Sequence, residues 1–104
     1  MAKFIFAYHG GGRPETPEAG AEMMQKWNAW LDGLGAAAFD RGQPVGISKT
    51  VSTSGVADDG GSNPLSGFSL VEADSIDDAI KLANGCPHLE MGNGTIEVAE
   101  LMQM

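Results

Sequence analysis

Two histidines and one aspartate are the residues whose chemistry and placement stand out. His88 follows Gly85-Cys86-Pro87, a run that stops a helix, and opens the loop before the last apolar segment. A loop histidine beside a sheet can serve as acid, base or ligand anchor near neutral pH, or it can cap helix carbonyls and face solvent. His9 ends the first apolar segment and precedes Gly10-Gly11-Gly12. Such glycines let a backbone approach a ligand closely and can form an amide-lined nest, or they form a plain flexible loop. Asp40 stands at a segment end before Arg41. It could orient a histidine across the fold, or it could sit in a surface ion pair or turn. His88, His9 and Asp40 are the expected acid-base group and its helpers.

Other groups point less far. His-Gly-Gly-Gly resembles the oxyanion loop of lipases, but no Gly-x-Ser-x-Gly elbow accompanies it. The glycines are not a P-loop, because no Gly-Lys-Ser/Thr follows. Asp58 and Asp59 lack the spaced acids and final glutamate of a calcium loop, and read as a solvated turn. Cys86 lies where a helix C-terminus disfavours a thiolate, and reads as a small buried residue. A lone cysteine rules out an internal disulfide framework and a cysteine-based zinc site. No nucleotide, haem, flavin or metal signature is present, so no cofactor is expected.

These residues need elements to position them. Phe4, Phe6 and Tyr8 alternate with Ile5 and Ala7 over Ala2–Tyr8, which predicts a strand covered on both faces. Arg13–Thr16 reads as a loop. Thr16-Pro17-Glu18 has the cap, the proline and the acid of a helix start. Met23, Trp27, Trp30, Leu31 and Leu34 then form an apolar stripe, so a helix is expected over Pro17–Leu34. Met23, Met24, Trp27 and Trp30 could pack a core, line an apolar pocket, or do both. Short strands are expected at Ala36–Asp40 and Ser48–Ser54, with a turn at Arg41–Pro44 and a loop or wide hairpin connection over Gly55–Pro64. Gly67–Ala73 is a strand; Ser75 caps a second helix whose inner stripe is Ile76, Ala79, Ile80 and Ala83; Thr95–Leu101 is the last strand. The order β-α-β-β-β-α-β is an α+β domain with helices on one face of a largely antiparallel sheet. Because the first strand is apolar on both sides, its free face is expected to pack against a second copy, giving a homodimer.

Length and charge bound the reading. The chain has 104 residues, suited to one domain over 1–104. Fourteen acids against six bases give a net charge of -8, and the bases are scattered singly, which argues against nucleic acid and an anionic membrane surface. No apolar run approaches the roughly 20 residues that span a bilayer. The opening segment breaks into Tyr8, His9 and glycines too soon for a signal peptide, so a cytoplasmic location is expected.

Three runs then combine: Gly67-Phe68-Ser69-Leu70-Val71-Glu72-Ala73-Asp74-Ser75-Ile76-Asp77-Asp78-Ala79, then Gly85-Cys86-Pro87-His88-Leu89, then Gly94-Thr95-Ile96-Glu97-Val98. With the opening strand, Tyr8, and a helix bearing Trp27 and Trp30, the chain resembles the YCII-related proteins, including the DGPF subgroup. The resemblance implies a ferredoxin-like fold that dimerises through its sheets into an α/β barrel. The wider superfamily includes muconolactone isomerases and small monooxygenases, so fold does not fix function. At the signature position Asp59-Gly60 is followed by Gly61 and Ser62 rather than Pro and Phe, and Trp27 stands where some relatives place a helix histidine. The expected function is cofactor-free His acid-base chemistry of the isomerase or lyase type on a small cyclic or acidic substrate. The rival is a non-catalytic ligand-binding or protein-interaction module.

Overall fold

The computed structural model describes residues 1–12 and 14–103, so the part of the expected loop at Arg13 lies outside the described residues. Strand β1 (Ala2–His9) leads into helix α1 (Pro17–Leu34) and a single 3-10 turn (Gly35–Ala37). Strands β2 (Asp40–Pro44), β3 (Thr50–Ser52), β4 (Gly55–Ala57) and β5 (Leu65–Ala73) follow, then helix α2 (Ile76–Ala83), a second 3-10 turn (Pro87–Glu90) and strand β6 (Thr95–Glu100). The main sheet runs β2-β5-β1-β6. Its neighbours are all antiparallel. With β3 and β4 set aside, this is the ferredoxin-like strand order with both helices in the crossovers.

The pleat sorts β1 as expected. Phe4, Phe6 and Tyr8 point under the helices and are buried, together with Val71, Ala73, Ala79, Ala83 and Cys86. Phe6 stacks on Trp30 at 6.3 Å, and the Trp30 indole N–H donates to the Leu82 carbonyl at 3.1 Å, tying α1 to α2. Both helix starts carry their caps. Thr16 Oγ1 accepts from the Ala19 N–H at 3.0 Å, and Ser75 Oγ from the Asp78 N–H at 3.2 Å. The opposite face of the sheet carries Ile5 and Ala7 of β1 beside Leu70 and Phe68 of β5, all half-buried, and among the described residues both helices lie on the other side.

Two expectations are corrected. Ala36–Asp40 is not a strand; the strand is Asp40–Pro44, where a turn was expected. Its glycine and proline mark a bulged edge strand instead. Gly42 sits at φ +72°, and a Cβ there would lie 1.6 Å from the Phe68 carbonyl oxygen. Pro44 is tolerated because β2 is at the sheet edge and Pro44 ends it. Second, Ser48–Ser54 adds no strand to the sheet. Thr50–Ser52 pairs only with Gly55–Ala57, as an exposed hairpin. Half-polar alternation at Thr50–Ser52 fits such a two-sided solvated ribbon as well as a sheet strand. Among the described residues no helix is long and apolar enough to cross a membrane.

Candidate functional site

Helix α1 rests on β1 through its tryptophans and stands away from the β5–β2 side of the sheet. The space between is a cleft of about 800 Å³. Met23, Met24, Trp27 and Leu31 wall it from α1, and Gly10–Gly12 close one end. Arg41–Pro44, Gly67 and Ser69 form the sheet side. The connection after the hairpin contributes Asp59, Gly60 and Pro64, so the far part of the Gly55–Pro64 segment borders the cleft while Gly55–Ala57 projects from it.

His88 is in this cleft and only 4% exposed. Pro87 fixes the start of the 3-10 turn that carries it inward. Its Nε2–H donates to the His9 carbonyl at 2.8 Å. The ring is tilted against Tyr8 at 5.4 Å and Trp27 at 6.2 Å. Gly11, at φ +75°, lies over the other edge: a Cβ there would come 2.8 Å from Cε1 and 3.4 Å from Nδ1. Among the described residues Nδ1 makes no hydrogen bond, yet no buried side-chain nitrogen or oxygen lacks a partner. Nδ1 lies at the edge that Gly11 covers, and Gly11 and His88 both line the cleft. When the ring is neutral, the carbonyl fixes its tautomer, with the proton on Nε2 and a lone pair on Nδ1.

His9 and Asp40 are not brought into that constellation. The His9 ring follows Lys3, Ile5 and Ala7 on the open side of β1, with its side chain 12% exposed. Its Nδ1 lies 3.0 Å from the Asn63 carbonyl and 3.3 Å from that of Pro64, and its Nε2 3.0 Å from Glu97 Oε1. All three partners are acceptors, a set that a ring with an N–H on each nitrogen could satisfy at once. Among the described residues His9 meets His88 through its main-chain carbonyl. Asp40 stands at the edge, where Oδ1 accepts the Gly42 N–H at 2.8 Å and holds the bulge.

Sequence reasoning passed over one pair. Tyr8 and Ser69 both line the cleft. The Tyr8 hydroxyl donates to Ser69 Oγ at 2.8 Å, and Ser69 Oγ–H donates to the Arg41 carbonyl at 2.8 Å. The signal was present in the pleat: an inward tyrosine must find a partner for its hydroxyl, and Ser69 falls opposite Phe6 on the same face. Burial raises the phenol well above its ordinary range; the Ser69 hydrogen bond opposes this only in part, and the Cys86 sulfur adds to it. Burial likewise pushes the Cys86 thiol up to about 12, against a smaller opposing effect from the His88 N–H. Among the described residues no cluster of three or more His, Cys, Asp or Glu could hold a metal ion.

No protein-family model matches this sequence. No curated protein matches it either. Among solved structures, the fold resembles 5-chloro-2-hydroxyhydroquinone dehydrochlorinase from Burkholderia phenoliruptrix AC1100, whose structure was determined with 2,5-dihydroxybenzoquinone. The two chains share 19% identity at a TM-score of 0.50, over 89% of this chain and 90% of that one. The likeness covers nearly the whole of both chains, and it is a likeness of fold.

Proposed function

We propose that this chain is a YCII-related, cytoplasmic, single-domain protein that binds a small cyclic or acidic compound in the α1–sheet cleft and moves a proton on it without a cofactor. The observation that carries the reading is His88: it lines the cleft with one nitrogen tied to the His9 carbonyl and with no hydrogen-bond partner on the other among the described residues. In an isomerisation, Nδ1 takes a proton from one substrate atom. The imidazolium so formed is steadied by its Nε2–H on the His9 carbonyl. The same proton then returns at a second substrate atom, so no electrons are exchanged with an outside partner. Trp27, Leu31 and Met23 exclude water and present an apolar wall to a ring. At the level of fold, the dehydrochlorinase neighbour supports the reading, since its structure holds a small ring compound.

A thermal-shift screen of lactones, phenols and small carboxylates on wild type and His88→Ala tests it. Ligands that raise the wild-type melting temperature are expected to lose that effect in the variant. Turnover of any substrate found should fall by about 10²–10⁴-fold, the usual contribution of a general base. Hits that ignore His88 sink the reading. One observation favours the rival, a ligand-binding module without turnover: the Nε2 partner is a backbone carbonyl rather than a carboxylate. Binding that depends on His88, with no chemical change in the ligand, would decide for it.

The homodimer belongs to the same proposal. The uncovered sheet face, apolar at Ile5, Ala7, Phe68 and Leu70, supports a second copy packing there. A sedimentation mass equal to the 10.8 kDa monomer at micromolar concentration would refute it.

A further inference from the structure

We propose that the cleft selects a ring carrying hydroxyl donors, a phenol or an enol, and that Tyr8 reads those donors beside His88. This rests on the cleft being the ligand site, as argued above, and adds what the ligand must present there. The Arg41 carbonyl can only accept, so Ser69 must donate to it. Ser69 Oγ then has only lone pairs to offer Tyr8, and the Tyr8 proton is committed to it. What Tyr8 has left for the cleft is an acceptor. His88 is fixed in the same sense: with its proton on the His9 carbonyl, Nδ1 offers a lone pair. Both polar groups on the inner walls are thus acceptors, set into an aromatic and methionine surface.

Three of the donors nearby are spent. The Gly11 N–H goes to Asn93 Oδ1, the Gly42 N–H to Asp40, and the Ser66 hydroxyl to the Gly10 carbonyl. Among the described lining residues the only cation, Arg41, turns its guanidinium to Asp32. Asn28 and Gln43 are exposed at the rim. A buried acceptor left without a donor is costly, so a ring with hydroxyls is favoured over one that presents only oxygen lone pairs. The raised phenol keeps Tyr8 protonated, and so in this role, across ordinary pH. The hydroxyl a ligand offers to His88 Nδ1 is also the atom whose proton that nitrogen can take.

The test uses one ring in three forms: resorcinol with two donors, 1,3-dimethoxybenzene with none, and isophthalate with anionic acceptors. Binding to the full chain is read from the Trp27 indole and His88 imidazole NMR resonances. Resorcinol is expected to bind about tenfold or more tighter than either of the others, one hydrogen bond's worth. Tyr8→Phe should remove most of that preference. Ser69→Ala should free the Tyr8 proton to point into the cleft and shift preference toward 1,3-dimethoxybenzene, a reversal that loss of packing would not produce. If Ser69→Ala does not fold, Tyr8→Phe decides alone: retention of the full preference overturns the proposal. Equal binding of all three rings, or tightest binding of isophthalate, overturns the hydroxyl selection and leaves the cleft as the ligand site. No change at Trp27 or His88 with any ring at millimolar concentration overturns both.

Discussion

At the scale of single residues, the cleft is governed by where protons are held. His88, Tyr8 and Cys86 lie side by side under α1, and two of the three are kept protonated by burial. Cys86 is therefore expected to resist iodoacetamide in the native protein at pH 8 and to react only on unfolding, which mass spectrometry would read directly. The pH dependence follows in sign. The thiol and phenol ordinarily titrate near 9.0 and 10.0, and both stand higher in the folded chain. As pH rises past 9 the unfolded state releases protons that the folded state retains. Stability is full below pH 9 and falls between there and about pH 12, where the folded thiol also titrates. Urea midpoints across that range would check it, and a flat profile would contradict it. His88 was legible in the sequence because Gly85-Cys86-Pro87 announces a stopped helix and a loop. Its tautomer was not, because the carbonyl that fixes it comes from His9, far away in the chain and across the sheet.

At the scale of elements, the strongest periodic signals translated well and the weak ones did not. α1 and α2 begin at the expected caps, since Thr16-Pro17 and Ser75 act on their own neighbours. Thr16→Ala should cost about 1 kcal/mol of stability, measured by chemical denaturation. β2 was misplaced because Arg41-Gly42-Gln43-Pro44 has turn composition, and only the pairing with β5 makes it a strand. That pairing depends on Gly42. Gly42→Ala drives a methyl into the Phe68 carbonyl and forces an unfavourable φ, so a loss of about 2 kcal/mol or more is expected. Gly46→Ala, with open space at its Cβ, is the matched control and should stay within about 0.5 kcal/mol. Equal effects of the two would mean that the bulge does not hold the sheet edge.

At the scale of the whole molecule, the chain is a slab of 43 × 41 × 19 Å with a radius of gyration of 14.7 Å. A compact chain of this length has a radius near 13 Å. The excess reflects the hairpin, where Val51 and Val56 are 79% and 63% exposed, and a sheet covered on one side only. If a second copy fills the open side, Leu70→Glu places a charge in the seam and should shift the sedimentation mass from dimer to monomer with little change in monomer fold. An unchanged mass would place any association elsewhere. The β3–β4 hairpin carries a different consequence, one of time. It pairs only with itself and buries no side chain. Its opening therefore costs little of the global stability, and its amide hydrogens should exchange with deuterium long before those of β1 and β5. The Asp59–Pro64 wall of the cleft continues directly from that hairpin. The mouth of the cleft is thus expected to breathe on a faster clock than its floor, letting ligands enter and leave while His88 and Tyr8 hold still.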